Sequence, residues 1–166
     1  EAYKELGDED KALEYNQQYM DKNPNAAPTD FMKLAEIYIN KAKKDPAKKV
    51  ENIDKAIGVY AKLAEKYPTL KPFAKLQEGN TAFQNELDDK AIAAYTEVIN
   101  ELEAKQCDED ELSYLKTSYQ YMGFIYTYDK QDFNTAKPYW DKLLKLDPQN
   151  KLANDAYEKA GLKPGE

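Results

Sequence analysis

The side chains that most often carry nucleophilic catalysis are scarce in this sequence. All 24 basic residues are Lys, and neither Arg nor His occurs among the 166 residues. Without His, the Ser–His and Cys–His nucleophile pairs cannot be assembled within this chain. The single cysteine, Cys107, precedes the acidic residues Asp108, Glu109 and Asp110, which disfavour a thiolate. The sequence therefore predicts an unreactive thiol and no enzyme of the nucleophilic class.

Carboxylates are the remaining candidates for acid–base or metal chemistry. They cluster at residues 8–10, 88–89 and 108–111, where helices are expected to begin. Acids at helix starts cap free N–H groups and complement the helix dipole. The spaced ligands and loop glycine of an EF-hand are missing, and so is a Gly-rich phosphate loop. We therefore predict structural roles for these acids, with no metal and no cofactor, and a paired acid–base site is the alternative.

Overall charge argues against two classes of partner. The formal net charge is −7 and the sequence pI is near 4.9. The positive field expected of a protein that binds nucleic acid or an anionic membrane is therefore missing. No stretch approaches the roughly 20 apolar residues of a membrane span. We predict no nucleic-acid partner and no membrane insertion.

The cellular compartment is only weakly constrained by the sequence. One cysteine allows no intrachain disulfide, so the redox environment cannot be inferred from it. The chain begins with Glu1 instead of Met, and we expect a fragment or a processed product. The Lys-only, Tyr-rich composition is the one hint of a bacterial, exported protein.

Apolar residues recur at spacings of three and four along the whole chain, which is typical of amphipathic helices. Pro, Gly and Asp mark where these segments begin and end. We predict eight helices, at about 8–22, 29–44, 48–66, 71–85, 88–105, 109–129, a seventh opened by Asp132 or Asn134 and ending at Leu146, and 150–161. Pro138 predicts that the seventh helix begins late or bends.

One spacing pattern of residue types occurs four times, and we call it the repeated skeleton. It consists of a small Ala, a bulky residue four positions later, an apolar residue three positions after that and usually a Pro five positions further on. The anchors are Ala12, Ala56, Ala91 and Ala136, which recur at 35 to 45 residues. The fourth copy reads Ala136, Trp140, Leu143 and Pro148; the first puts Asn16 in the bulky position and continues with Tyr19 and Pro24. Such a period is the signature of a helical solenoid.

Paired helices, a small residue midway in the first helix, the Ala-x-x-x-aromatic start of the second and a closing Pro together resemble the tetratricopeptide repeat. The resemblance covers nearly the whole chain. It is strongest through Tyr119, Met122, Gly123, Tyr126, Ala136, Trp140, Leu143 and Pro148. It implies an all-α fold, a right-handed superhelical solenoid of antiparallel helix pairs.

The resemblance also divides the chain, which we expect to form a single domain over 1–166. We expect a truncated first repeat at 1–26, a second repeat with an insertion at 27–70, a third at 71–105, a fourth with an N-terminal extension at 106–149, and a capping helix and tail at 150–166. Only Tyr3 of the first-helix pattern precedes Ala12. We therefore expect further repeats upstream in a parent protein.

In this family the first helices of successive repeats line a concave groove. The resemblance places groove-facing positions at Met32, Glu36, Ile39, Leu76, Asn80, Phe83, Gln120, Phe124 and Thr127. One known use of the groove, in co-chaperones, is a clamp of Lys, Asn and Arg around a partner's C-terminal carboxylate. Asn80 occupies a clamp-like position, but the chain has no Arg to complete the clamp. A peptide presenting apolar and hydrogen-bonding groups fits these positions better than a strongly acidic one.

The sixth helix carries more aromatic residues than the repeat requires. Tyr119, Met122 and Tyr126 are expected in the core, and Tyr114, Tyr121 and Tyr128 form a second stripe at seven-residue spacing with Phe124 beside it. A single helix cannot bury both stripes against its own repeat. The second stripe either packs against the preceding helix or exposes Tyr121, Phe124 and Tyr128 as anchors for a partner.

These observations predict a non-catalytic scaffold for protein–protein interaction that binds a peptide or protein segment in the groove. One alternative is a ligand-binding or catalytic protein that uses carboxylates and Tyr hydroxyls in the same groove. Another is a spacer or oligomerisation module. The sequence specifies neither the identity of the partner nor the oligomeric state.

Overall fold

The computed structural model describes residues 9–23 and 25–165, and the side chains of residues 9, 10, 12 and 21 lie outside that description. The structure is 81% helical, which confirms the all-α class and the helical-repeat fold. The described α-helices are α1 (Glu9–Lys22), α2 (Pro28–Lys44), α3 (Lys49–Lys66), α4 (Lys71–Phe83), α5 (Asp88–Leu102), α6 (Glu109–Phe124), α7 (Phe133–Leu146) and α8 (Lys151–Lys159). Short 3₁₀ turns occupy Pro46–Lys48 and Pro68–Leu70, and a π-helical turn occupies Ile125–Asp129.

The chain divides into two compact units, Glu1–Asn85 and Glu86–Glu166. In unit 1, α2 packs extensively against α3, and α3 against α4, while α1 packs on α2. In unit 2, α6 packs against α5, α7 and α8. Each unit is therefore built from consecutive helices in contact, as expected of stacked helix pairs.

Side chains that cap backbone N–H groups begin α6, α7 and α8. The Asp108 carboxylate accepts a hydrogen bond from the Glu111 backbone N–H at 2.9 Å, and the Glu111 carboxylate accepts from the Asp108 N–H at 3.3 Å. This reciprocal arrangement is a capping box, and it begins α6. Asn150 caps α8 in a similar way, because its Oδ1 accepts from the Ala153 N–H at 3.2 Å.

The core of unit 1 lies between α1, α2, α3 and the start of α4. Phe31, Leu34 and Tyr38 of α2 are each 3% exposed and pack against buried residues of α3. At the end of α3, Tyr67 donates its hydroxyl proton to the Ala26 carbonyl at 2.6 Å, and Lys66 donates to the Asn23 carbonyl at 2.8 Å. These bonds fix the turn before α2 to the end of α3.

The core of unit 2 is centred on α6 and α7. Trp140 is fully buried, and Tyr119 and Met122 of α6 are 3% and 1% exposed. The α8 side chain of Tyr157 is also fully buried, and its ring meets Phe133 edge-on at 5.4 Å. Burial of Ala153 and Ala156 beside it shows that α8 packs against the unit as a terminal helix.

In the second, third and fourth copies of the repeated skeleton, the Ala and the bulky residue are core positions. Ala56, Ala91 and Ala136 are 0% exposed, and the bulky residues four positions later, Tyr60, Tyr95 and Trp140, are all buried. Close approach of helices requires small residues at such positions. The side chain of Ala12, together with Tyr3, Pro24 and the acidic side chains at 8–10, lies outside the described residues.

Two details differ from the expectations. The first-copy residue Tyr19 is 52% exposed, because α1 turns this side chain away from the core to which Leu13 and Met20 belong. The seventh helix does not begin late: α7 starts at Phe133 and contains Pro138 in its interior, so the alternative of a bend stays a prediction. Asp132 makes the early start possible, since its carboxylate accepts from the Thr135 N–H at 3.1 Å and the Thr135 hydroxyl at 2.6 Å.

Candidate functional site

The predicted groove residues of α2 share one face of that helix. A helix turns about 100° per residue, so Met32, Glu36 and Ile39 lie on a common side, opposite Leu34 and Tyr38. Met32 is 40% exposed and Glu36 is exposed, whereas Ile39 is half-buried and packs against the core of unit 1. Of the predicted α2 groove residues, Met32 and Glu36 are therefore the two that are exposed to a partner.

The predicted groove residues of α4 contribute less accessible surface. Leu76 is buried at 6% exposure, and Asn80 and Phe83 are half-buried. Leu76 therefore acts mainly in packing, since α4 packs extensively against α3. Asn80 and Phe83 remain candidate contact positions in unit 1.

A buried carboxylate on α4 was missed by the sequence analysis. Glu78 is 7% exposed, and its Oε2 lies 3.1 Å from the Lys75 Nζ. Both side chains are largely removed from solvent, so loss of Lys75 would leave a costly buried charge. The spacing of three residues between a Lys and a Glu is the sequence signal that could have indicated the pair.

In unit 2, two of the predicted site residues make contacts with neighbouring helices. Tyr121 is half-buried, and its ring stacks on Tyr95 of α5 with centroids 5.5 Å apart and planes inclined by 12°. Gln120 is half-buried and accepts a hydrogen bond from the Asn150 amide at 3.3 Å. Tyr121 thus packs against the preceding helix, as the packing interpretation of the second stripe expected.

Thr127 uses its hydroxyl within unit 2. The Trp140 indole N–H donates to the Thr127 Oγ1 at 2.9 Å. Thr127 lies in the π-helical turn Ile125–Asp129, where the Lys130 N–H reaches back five residues to the Ile125 carbonyl at 2.9 Å. A wide turn of this kind is typically a local insertion into an α-helix. The sequence predicted an ordinary helix over this segment.

Phe124 and Tyr128 form an aromatic pair on the half-exposed side of this segment. Their ring centroids are 4.8 Å apart with planes inclined by 44°, and both side chains are half-buried. The Lys159 ammonium of α8 lies 4.6 Å from the centre of the Tyr128 ring, within the range of a cation–π contact. Burial, together with the charge of Asp155, raises the pKa of the Tyr128 hydroxyl, which keeps it protonated and able to donate.

A tyrosine–carboxylate contact in unit 2 joins the buried Tyr119 to Glu103, whose side chain is 35% exposed. The Tyr119 hydroxyl and the Lys142 ammonium both donate to the Glu103 Oε1 at 2.5 Å. Burial and the Glu103 charge raise the pKa of Tyr119. Burial opposes ionisation of Glu103, but the hydrogen bonds from Lys142 and Tyr119 outweigh it and hold the carboxyl pKa below its ordinary value. Tyr119 therefore keeps its proton, and the contact connects α6 and α7 to the end of α5.

Cys107 is half-buried between α5 and α6. Its Sγ lies 3.3 Å from the Leu102 carbonyl oxygen, to which the thiol donates. Burial and the charge of Glu111 raise the thiol pKa, against a smaller opposing effect of Lys105. The predicted lack of thiolate character agrees with this environment.

Two particular kinds of site are absent from the described parts of the chain. Within residues 9–23 and 25–165, no three His, Cys, Asp or Glu side chains are grouped so that they could hold a metal ion. In the same residues, no helix combines the length and apolar character needed to cross a membrane.

Comparison with known families identifies one segment. Residues 31–69, which contain most of α2 and all of α3, match the family model of the tetratricopeptide repeat. No curated protein and no solved structure matches the chain.

Proposed function

We propose that this chain, a protein of the tetratricopeptide repeat family, is a non-catalytic scaffold that binds a segment of another protein. Repeats of this family generally act as modules of protein–protein interaction. The expected groove residues fall in both units, and each unit offers its own contact surface. In unit 1 that surface is centred on Met32 and Glu36, and in unit 2 on Phe124 and Tyr128.

The aromatic pair of unit 2 is the observation that carries the proposal. Phe124 and Tyr128 contact each other while keeping part of each ring accessible. The packing of α6 is provided by other residues, among them the buried Tyr119 and Met122. Rigid aromatic side chains supply a large contact area at little entropic cost and are enriched in recognition surfaces. The repeat pattern accounts for Tyr119 and Met122 but does not itself include this pair.

The accessible groups indicate what kind of segment would bind. Phe124 and Met32 offer apolar contacts, and the protonated Tyr128 hydroxyl offers a hydrogen-bond donor. An apolar residue followed by accessible backbone carbonyl groups would use both the apolar contacts and the hydroxyl donor. Glu36 would oppose an acidic residue at the α2 surface. We therefore expect a segment that is apolar and uncharged at its centre.

Site-specific photocrosslinking tests the proposal. A photoreactive phenylalanine derivative is placed at Met32 or at Phe124, and at Val50 of α3, which is 55% exposed, as the control. Crosslinks to the same partner from positions 32 and 124, absent from position 50, would support binding through the expected surfaces. Equal crosslinking at all three positions would contradict it. Crosslinks only to a second copy of the chain would favour the oligomerisation alternative.

Substitution then measures the contribution of the aromatic pair. Changing Phe124 and Tyr128 together to Ala should weaken the partner captured by crosslinking by at least about tenfold, since each ring loses apolar contact area. Changing Tyr15 to Ala is the matched control, because this tyrosine of α1 is 58% exposed. Tyr121 is left intact because its stack on Tyr95 contributes to packing.

A further inference from the structure

A cleft of about 170 Å³ opens in unit 1 between α1, α2 and α3. Met20, Leu34 and Val59, one from each helix, form its apolar walls and are 8%, 3% and 5% exposed. An apolar cavity of about 150 Å³ is large enough to take up benzene. The cleft is therefore of a size to hold one aromatic ring.

The cleft lies on the opposite side of α2 from the predicted groove. Its α2 residues are Leu34 and Tyr38, whereas the predicted groove residues of this helix include Met32 and Glu36. At about 100° per residue the two sets are separated by roughly half a turn. A ligand in the cleft would therefore be additional to a segment bound at Met32 and Glu36.

Gly58 keeps one wall of the cleft open. This residue lies in the interior of α3, and no surrounding atom lies within 4 Å of a β-carbon placed on it. Glycine weakens a helix interior more than any residue except proline. Packing does not demand a glycine here, and its evident structural effect is to leave the space in front of α3 unfilled.

The polar groups at the cleft are arranged around the apolar walls. The Tyr38 hydroxyl donates to the Gln17 Oε1 at 2.8 Å, which joins α2 to α1. The Gln17 side chain also carries an amide NH₂ group, a hydrogen-bond donor. A bound group that presents an acceptor beside its apolar part would fit this edge.

Two lysines lie at the rim of the cleft, and each already has an interaction within the chain. Lys55 and Lys62 are both exposed and lie seven residues apart on α3, which places them on one face about 10 Å apart along the axis. Lys55 pairs with Glu51 of the same helix at 2.5 Å, with side chains 48% and 58% exposed. Such exposed ion pairs contribute little to stability, so a ligand carboxylate could replace Glu51 as the partner of Lys55.

We propose that this cleft binds an aromatic side chain presented by an acidic segment of a partner protein. The ring would enter between Met20, Leu34 and Val59, and carboxylates on either side of it would pair with Lys55 and Lys62. Charge complementarity supports an acidic partner, because the residues that line the cleft include two lysines and no carboxylate. The segment expected here thus differs from the uncharged one expected at Met32.

The test uses a capped nine-residue peptide with a single phenylalanine flanked on each side by glutamates, titrated into the full chain labelled with ¹⁵N. Saturable shifts of the Leu34, Gly58 and Val59 amides are expected. A peptide with alanine in place of phenylalanine, and another with glutamines in place of the glutamates, should each bind at least about tenfold more weakly. Free 3-phenylpropionate should bind more weakly than the peptide.

Three variants connect binding to the cleft. Gly58→Leu should fill it and abolish the shifts, and the double variant Lys55→Glu/Lys62→Glu should weaken binding at least about tenfold. The matched control is Lys33→Glu/Lys43→Glu, which reverses two exposed charges of α2 outside the cleft and should leave binding unchanged. Circular dichroism verifies folding of each variant, and the double lysine variant decides the matter if Gly58→Leu does not fold.

Several results would overturn the proposal. These are the absence of binding, equal binding of the alanine peptide, equal weakening by the control variant, or shifts confined to Met32 and Glu36. Binding of 3-phenylpropionate as tight as that of the peptide would assign the cleft to small aromatic acids instead.

Discussion

Gly123 of α6 faces the indole ring of Trp140 of α7 at a distance that leaves no room for a side chain. A β-carbon placed on Gly123 would lie 2.5 Å from the Trp140 Cε2 and 2.6 Å from its Cδ2. Trp140 is fully buried, so its ring cannot move into solvent. This small residue near the end of α6 is therefore what allows the largest side chain of unit 2 to pack between the helices.

Replacing Gly123 with Ala should destabilise unit 2 by about 1–2 kcal/mol. Overpacking typically costs about 1–3 kcal/mol, which here exceeds the roughly 1 kcal/mol that Ala gains over Gly in a helix interior. Urea unfolding followed by far-ultraviolet circular dichroism measures the change. A variant as stable as the parent chain would contradict the contact between Gly123 and Trp140.

Replacing Gly58 with Ala should stabilise the protein instead. No surrounding atom lies within 4 Å of a β-carbon at this position of α3. Gly58→Ala is therefore expected to raise the free energy of unfolding by about 0.5–1 kcal/mol, through the smaller entropy loss of Ala on helix formation. Calorimetry of both glycine variants gives the comparison, and a lower melting temperature for Gly58→Ala would show that the space in front of α3 is not open.

Thr127 should be needed for stability through its hydroxyl. Thr127→Val keeps the shape of the side chain but removes the acceptor for the Trp140 N–H, which is bonded at 2.9 Å. A buried donor left without an acceptor costs about 1–3 kcal/mol. Thr127→Ser restores the hydroxyl and should recover most of the loss. If Val and Ser variants unfold at the same urea concentration, the hydrogen bond contributes nothing.

Low pH should lower the stability of unit 2 in part because Glu103 becomes protonated. Burial opposes ionisation of this carboxyl, but its bonds with Lys142 and Tyr119 hold the folded-state pKa below the ordinary value. The resulting stabilisation is present above the unfolded-state pKa of about 4.3 and is lost as the pH falls through the folded-state value. Glu103→Gln should lower the melting temperature at pH 6 and reduce the further loss between pH 6 and pH 3.

An exposed carboxylate on α8 provides the control for that experiment. Glu158→Gln on the last helix should retain the acid sensitivity that Glu103 contributes, because it leaves the bonds of Glu103 with Tyr119 and Lys142 unchanged. Parallel pH profiles of the Glu103→Gln and parent chains would exclude a role of this carboxyl in acid unfolding.

Signals that act within one helical turn were predictable from the sequence. Asp108 and Glu111 stand at the spacing of a capping box and begin α6 as expected. Pro46 and Pro68 follow the ends of α2 and α3. The buried Ala56 and Ala136 were predictable from their repetition, since small residues recur where helices cross.

Features that depend on distant side chains were not predictable. The π-helical turn Ile125–Asp129 brings Thr127 to Trp140, thirteen residues later, and no local signal marks it. Burial of Glu78 depends on how α4 packs, because an alternating charge pattern usually marks a solvated face. The cleft beside Gly58 results from an absence of packing, for which the sequence has no pattern.

In the candidate site too, some features were predictable from the sequence and others were not. Register correctly grouped Met32 and Glu36 on one face of α2, because the helical period fixes which residues share a side. It could not distinguish the exposed Met32 from the buried Leu76, since both occupy equivalent positions and differ only in what packs over them.

Trp140 is the only tryptophan of the chain, and it lies in the unit formed by Glu86–Glu166. Its fluorescence emission therefore reports the environment of that unit alone, whereas unit 1 contains tyrosines but no indole. On denaturation, exposure of the buried ring to water should shift the emission maximum towards longer wavelength. The chain thus carries an intrinsic optical reporter that follows one of its two units without any label.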